Sequence, residues 1–430
     1  MDYQEMYKSK LTTPDEAVKL IKDGWGVAVP VAVGQPPVLI NALARREAEF
    51  TELNFWSVVD VYPTDMLKIG RSDRIEQDYS YCVASRKGIQ QGQYVYTPIR
   101  LGEGPRILSR RDYQVVMMQV APMDEYGYFS MGVSCDYIHG FMKKAEVIIV
   151  QVNENMPRTF GRNCIHISKV NAVVEATHPL AAMPSVPPND NEKLIGEYVA
   201  ELVDDGSTIQ LGIGGIPNAA ALALVNKKDL GVHTEMIADA NRVLWEKGVI
   251  TNSCKTYMPD VMVATFAMGS QELYQWLDNN PVAHFYPTEL VNDPHIISRH
   301  DKMVSINSTL EMDLSGQACS ESIGPLQYTH TGGQADFIYG ACRSKGGKSI
   351  IAFESVANTK EGPQSKIVPH LKYGSFITSP RYETHYVVTE YGIADIKYQN
   401  LWERSKRLIS IAHPDFRDWL RFEAKRVNFI

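Results

Sequence analysis

The chain has 430 residues, and at roughly 150 residues per domain that predicts two or three domains rather than one core. Hydrophobic residues make up 44% and charged residues 22%, a balance that excludes a disordered tail, a collagen and a coiled coil. The net charge of −7 argues against non-specific nucleic-acid binding, though a local basic pocket for a phosphorylated ligand remains compatible with it.

In chain order, Met1–Met6 offers no apolar signal-peptide core, and the longest apolar runs, such as Ala219–Val225, fall well short of the roughly 18 residues a membrane span needs. Thr13-Pro-Asp-Glu-Ala17 has a capping hydroxyl, then Pro, then acids, which predicts a helix start. Ala17, Val18 and Ile21 follow at helical spacing, and Gly24 ends the segment. A strand is predicted over Val27–Val33, then the loop Gly34–Pro37, then a helix over Val38–Arg45. Further strand-like runs are Tyr113–Val120, Val147–Val152, Ile350–Phe353 and Tyr386–Thr389. Strands alternating with helices predict an α/β architecture with a largely parallel sheet.

The opening pattern recurs. A helix is predicted over Asn191–Asp205, ending at Gly206, then a strand over Thr208–Ile213, the loop Gly214–Pro217 and a helix over Asn218–Asn226. With Gly24 aligned on Gly206, each copy reads helix, Gly, strand, Gly/Pro loop, helix. This predicts two similar open α/β domains. Between the copies, Pro179–Asn191 holds four prolines in thirteen residues, a stiff extended segment that cannot continue a helix. The domains are accordingly set at 1–185 and 186–430. Cys82, Cys135, Cys164, Cys254, Cys319 and Cys342 include no CxxC pair and make no disulfide scaffold. Each reads as a small buried apolar residue, and a reducing cytoplasm is the simplest location.

Four segments could carry chemistry. Leu211-Gly-Ile-Gly-Gly-Ile-Pro217 follows a strand and opens a helix, so its glycines can present N–H groups to a ligand beside a helix N-terminus. It is not a dinucleotide fingerprint, because Pro217 stands where GxGxxG needs its last Gly, and a plain tight turn is the alternative. In Gly231–Asp239, Glu235 sits among mostly apolar neighbours, where a carboxylate is costly unless paired, solvated at a cleft or used. Its alternative is a helix-capping acid. Gly332-Gly333 can offer N–H groups to an anion or simply turn the chain. Gly346-Gly-Lys-Ser349 resembles half a P-loop, but Cys342 occupies the position of its first Gly, and it reads as a loop between strands. No HExxH, GxSxG or metal-spaced His/Cys cluster is present.

Taken together, these segments and the C-terminal block resemble the acetyl-CoA hydrolase/transferase family, nearest its 4-hydroxybutyrate (or butyryl-CoA:acetate) CoA-transferase branch. The resemblance lies in Leu211–Pro217, Gly231–Met236, Ile306–Gln317, Gly332–Phe337, Ser344–Ser349, Ile367–Pro369, Tyr386–Gly392 and Ile411–Phe416, with Val133–Tyr137 and Val152–Thr159 in the N-terminal half. It implies two α/β halves and covers nearly the whole chain. It makes Glu235 the catalytic glutamate and Gly333 the oxyanion-hole donor. Asn292 matches an asparagine that orients the glutamate, and Glu390 a second active-site acid. Gly212, Gly214, Gly215, Ile216 and Pro217, with Gly332, match the CoA-binding surface. The sequence departs from the family at Ala238–Asn241 and at Phe353-Glu-Ser355, positions that bear on acyl specificity.

The activity so implied is CoA transfer from an acyl-CoA to a short-chain carboxylate, ping-pong through a glutamyl-CoA thioester. CoA is then a substrate, and no cofactor, metal, nucleic acid or membrane is called for. A cytoplasmic homo-oligomer, dimer or larger, is expected. The alternatives are an acyl-CoA hydrolase and a non-catalytic acyl-CoA-binding protein, while Pro217 speaks against an NAD-linked enzyme.

Overall fold

The structure, a computed structural model, describes residues 2–80, 84–183 and 187–430. Cys82 and the expected boundary at 185–186 lie outside the described residues. The chain divides into two compact units, Met1–Pro184 with Val263–Val291, and Ser185–Met262 with Asn292–Ile430. A continuous second domain over 186–430 is therefore corrected: 263–291 folds with the first unit. Backbone pairing is the reason. Strand Ala283–Phe285 runs parallel to Phe160–Gly161, and the N–H groups of Cys135 and Asp136 both donate to the Thr265 carbonyl.

The first unit is built on β1 (Gly26–Ala28), β2 (Leu53–Val58), β3 (Ile75–Ser80), β4 (Val115–Val120), β5 (Val147–Val152) and β6 (Ala172–Glu175), in the order β3-β2-β1-β4-β5-β6. All pairings are parallel. Strands β4 and β5 are buried along their whole length, as suits parallel strands covered on both faces, and are apolar but for Gln119 and Gln151. Helix α1 (Pro37–Ala44) returns after β1 and buries Leu39, Ile40 and Leu43. Strand β1 is shorter than expected. Pro30 has no N–H for a ladder, Ala32 takes a positive φ of 49°, and 32–34 closes into a 3₁₀ turn.

The second unit repeats the plan with β7 (Thr208–Leu211), β8 (Gly231–Val232), β9 (Met303–Asn307), β10 (Lys348–Ala352), β11 (Tyr386–Thr389) and β12 (Gly392–Asp395), in the order β8-β7-β9-β10-β11-β12. Every pairing is parallel except the β11–β12 hairpin. Strands β1 and β7 begin at Gly26 and Thr208, the same separation as Gly24 and Gly206. In both units this strand has the next strand on one side and a later one on the other. Such a strand marks a topological switch point, where open α/β sheets leave a crevice beyond the carboxyl ends of their strands.

Helix α2 (Asp190–Leu202) opens with a capping box between Asn189 and Glu192. Helix α3 (Gly215–Ala223) starts three residues before the expected Asn218, because Pro217 falls in the first turn, where a missing N–H costs nothing. Lys348 begins β10 directly after α5 (Gln334–Arg343) and a short turn, so Gly346–Ser349 links a helix to a strand, not two strands. Its amine is held by the Leu202 carbonyl at 2.8 Å and by Asp204 at 2.9 Å, which leaves no P-loop geometry. Cys135 and Cys319 are buried as expected, but Cys164 and Cys254 are exposed, Cys164 opening a short strand and Cys254 lying in a turn. No helix of the described residues is long and apolar enough to cross a membrane. Among them, no group of three or more His, Cys, Asp or Glu could hold a metal.

Helices α2 and α3 meet at Gly196, where an added Cβ would lie 2.6 Å from the Ala219 carbonyl carbon and 2.7 Å from its oxygen. Ala ordinarily gains about 1 kcal/mol over Gly inside a helix. Here overpacking against backbone, typically 1–3 kcal/mol, opposes that gain and outweighs it. Gly196→Ala is therefore expected to lower the thermal midpoint; a rise on calorimetry would show that α3 can shift freely.

Candidate active site

The site residues of the second unit converge at the carboxyl edge of its sheet. Strand β7 ends at Leu211 and runs into Gly212–Gly214. Gly214 takes a φ of +115°, closed to residues with a Cβ, and stands before α3 with no side-chain cap. In the first turn of α3 Pro217 has no N–H and the Asn218 N–H donates to the Gly214 carbonyl, so the Gly215 and Ile216 N–H groups are the ones a ligand could meet at the positive end of the helix dipole. The loop packs tightly on its inner side: a Cβ at Gly215 would lie 1.8 Å from the Glu192 carboxylate. On the outer side, an added Cβ at Gly214 meets nothing within 4 Å.

Glu235 lies in the turn after neighbouring β8. The Thr234 hydroxyl ties this turn to the end of β7 by donating to the Leu211 carbonyl at 3.2 Å. Glu235 caps no helix, since the next one, Asp239–Glu246, begins four residues later with Ala238 before it. The residue is half-buried. Asn292, fully buried just before α4 (Pro294–Ile297), donates its Nδ2 to Glu235 Oε2 at 2.8 Å. The Gly333 backbone, just before α5, lies against the same side of the carboxylate, and its N–H favours the charged form. Burial nevertheless dominates and raises the Glu235 carboxyl from 4.5 to about 7, with Asn292 and Gly333 pulling the other way.

Gly333 must be glycine for reasons of space. A Cβ there would sit 1.9 Å from Glu235 Oε2 and 2.3 Å from Asn292 Nδ2. The neighbouring Gly332 is open: the nearest atom to an added Cβ is Glu235 Oε1 at 4.0 Å. The Gly332 N–H is turned inward and donates to His330 Nδ1 at 2.8 Å. The arrangement can therefore hold a carboxylate by one side while its other oxygen faces an approach over Gly332.

Glu235, Asn292 and Gly333 are brought into contact, with Gly332 beside them. The loop of Gly212, Gly214, Gly215, Ile216 and Pro217 lies on the adjacent strand end. Glu390 shares the sheet edge but not the contact. It follows β11, three strands from β7, or about 14 Å at the usual strand spacing. There its carboxylate accepts the Ser355 N–H at 2.8 Å and the Ser355 hydroxyl at 2.5 Å. Thr234 was missed by sequence reasoning. A hydroxyl beside the glutamate was visible, but its partner carbonyl was not.

Residues 1–185 match the acetyl-CoA hydrolase/transferase N-terminal domain and residues 269–424 the corresponding C-terminal domain. The chain is 43% identical over 429 residues to a 4-hydroxybutyrate coenzyme A transferase of Clostridium kluyveri, covering 99% of this chain and all of that one. It is 42% identical to a succinyl-CoA:cyclohexane-1-carboxylate CoA transferase of Geobacter metallireducens, covering 100% of this chain and 98% of that protein. Among solved structures, RipA from Yersinia pestis superposes with a TM-score of 0.93 at 38% identity, with both chains fully covered. The chain belongs to the acetyl-CoA hydrolase/transferase family.

The raised carboxyl has a consequence for stability. Unfolding returns Glu235 to its ordinary 4.5, so between pH 4.5 and about 7 the folded state holds a proton that the unfolded state has released. Folding stability must then fall as pH rises through that window. Glu235→Gln removes the term. The variant should gain thermal stability over the wild type at pH 8 and none at pH 4.5; an equal change at both, by calorimetry, would exclude burial of the charge as the cause.

Proposed function

We propose that the chain, a CoA-transferase by its family and its relatives, moves CoA from an acyl-CoA of acetyl, butyryl or 4-hydroxybutyryl type to a short-chain carboxylate, with Glu235 carrying CoA between two half-reactions. The observation that carries this reading is the Glu235 carboxylate held by the Asn292 amide at 2.8 Å, with the Gly333 backbone packed against the same oxygen.

Covalent catalysis divides a difficult exchange into steps of similar size. The free oxygen of ionised Glu235 attacks the acyl-CoA carbonyl, the C–S bond breaks, and an acyl-glutamyl anhydride and CoA thiolate result. The thiolate attacks the glutamyl carbonyl and expels the first acid as its carboxylate, leaving a glutamyl-CoA thioester. The acceptor carboxylate attacks that thioester, expels thiolate and forms a second anhydride. Thiolate then attacks the new acyl carbonyl and returns Glu235. No net proton is taken up, and CoA is a substrate; the steps call for no cofactor.

When the glutamyl carbonyl is attacked, negative charge gathers on the oxygen that Asn292 and Gly333 already hold. One such preorganised donor is typically worth about 3–4 kcal/mol. The Gly212–Pro217 loop and the α3 N-terminus are suited to the anionic and amide-rich length of CoA, with Gly332 beside the reacting carboxylate. Glu390 would act through Ser355, not by touching Glu235. A cytoplasmic homo-oligomer, dimer or larger, completes the reading.

Two experiments test it. Incubation with acyl-CoA should add the mass of CoA at Glu235, removable by borohydride, and Glu235→Ala should fall below a few per cent of wild-type transfer while remaining folded. An unmodified protein, or an active alanine variant, would refute the covalent role. Free CoA release should depend on a carboxylate acceptor; full-rate release without one would make the protein a hydrolase instead.

A further inference from the structure

The three groups of the site come from three segments that are distant in sequence, so something must hold those segments in register. Close in sequence to each of these groups lies one of a buried set of rings. His233, two residues before Glu235, and His300, eight residues after Asn292, face each other with centroids 4.6 Å apart and planes at 47°. His233 also lies 6.2 Å from Phe337. Phe337 is in the first turn of α5, where its N–H donates to the Gly333 carbonyl at 3.0 Å. His233 and His300 are fully buried and Phe337 nearly so.

We propose that His233, His300 and Phe337 form a positioning base for the reaction, one ring from each of the segments that supply Glu235, Asn292 and Gly333. This rests on the reading of Glu235 as the CoA-carrying residue.

The backbone around each ring is short and fixed. The His233 N–H donates to the Ile209 carbonyl in β7 at 3.2 Å, so ring and carboxylate hang from one turn of β8. From Asn292 the chain runs through α4, and the His300 N–H closes on the Ile297 carbonyl at 3.2 Å. Helices α4 and α5 touch at backbone distance, since a Cβ at Gly340 would fall 2.4 Å from Ile297 Cγ2 and 3.2 Å from the Pro294 carbonyl oxygen. At the far end of α5, the Ser344 hydroxyl donates to the His300 carbonyl at 2.5 Å. The ring set thus has no slack: moving His300 moves α4 and Asn292, and moving Phe337 moves the first turn of α5 and Gly333.

The imidazole of His300 serves here by shape. Neither of its ring nitrogens has a hydrogen-bond partner among the described residues. Tyr257 meets it edge-on at 5.9 Å, and the Arg299 guanidinium covers the Tyr257 ring at 4.4 Å. Burial, with the nearby His233, Lys255 and Arg299 adding to it, lowers His300 to about 2, so the ring stays neutral in the working range. Lys255 is itself buried and lowered to about 7 by that burial. A flat, uncharged, well-packed group is what a spacer between segments requires.

The test pairs His300→Ala with His300→Phe in the full chain. A positioning role predicts that the alanine variant keeps its KM for acyl-CoA within about threefold but loses about 10- to 100-fold in kcat, the usual scale for a misplacement of about 1 Å. The Glu235 carboxyl should also titrate higher, because its two donors are displaced. That titration is followed by ¹³C NMR of labelled Glu, assigned with Glu235→Gln, and needs no turnover. It therefore separates failure of this inference from failure of the CoA-carrying reading, which the absence of a wild-type adduct would mark. His300→Phe should recover most of kcat and the wild-type titration. The inference is overturned if His300→Ala leaves kcat and the Glu235 titration unmoved, even with a lower thermal midpoint. It is also overturned if His300→Phe is as impaired as His300→Ala, since the imidazole itself would then be acting. Should His300→Ala fail to fold, Phe337→Leu decides by the same two readouts.

Discussion

A carboxylate that burial pushes towards neutrality is the constraint on which this site depends. Burial alone would leave Glu235 protonated and inert as a nucleophile. Full exposure would leave it an ordinary carboxylate with a hydration shell to shed. The Asn292 amide and Gly333 N–H place it between those limits, with a titration point near neutral pH. Both donors are also aimed where charge must collect when the glutamyl carbonyl is attacked. The same two hydrogen bonds therefore set the resting state of the nucleophile and lower the barriers that follow.

Such an arrangement needs three separate segments to arrive at one point, and the sheet supplies the means. In a parallel sheet every strand ends at the same edge, so loops that are far apart in sequence open side by side. Glu235 follows β8, the Gly-rich loop follows β7, and the chain between β8 and β9 carries Asn292. The switch point at β7 sends its neighbours' connections to opposite faces and leaves the crevice between them. Helix α5 brings Gly333 to the site as its N-cap. The absence of a side chain at Gly333 matters more than any contact it makes, because even one methyl would occupy the place of the carboxylate oxygen.

Much of this was legible in the sequence, for definite reasons. Strands β5 and β11 could be placed to the residue because each is a short, mainly β-branched or aromatic run, VIIVQV and YVVT. The doubled plan showed because each half carries the same Gly-terminated helix before its first strand. The limits of β1 and α3 were misread where a proline changed the count: Pro30 ended a strand within an apolar run, and Pro217 sat inside a helix turn and not before it. The fate of 263–291 could not be read from composition, since its pairing with Phe160–Gly161 is a contact across more than a hundred residues. At the site, the residue types were readable, but the contacts were not. Gly333 showed only as half of a glycine pair able to face an anion, and Asn292 entered through family resemblance alone, because no local spacing links positions 235, 292 and 333. Glu390 shows the converse. A carboxylate matched by resemblance to a second active-site acid lies at the same sheet edge, but it accepts from Ser355 and not from a group that touches Glu235.

The cost of the site explains the character of its surroundings. A half-buried acid with a raised titration point destabilises the fold near neutral pH, and the protein must hold the donor groups still without adding charge that would quench the nucleophile. A lysine or arginine placed against Glu235 would stabilise it far better than an amide and a backbone N–H. It would also lower the carboxyl well below neutrality and weaken its attack, since a carboxylate locked in an ion pair is a poor nucleophile. Neutral donors backed by closely packed rings resolve that conflict. They restrain position while leaving the charge only partly compensated, and the surrounding helices, packed at backbone distance through Gly196 and Gly340, provide the rigidity that an ion pair would otherwise have supplied.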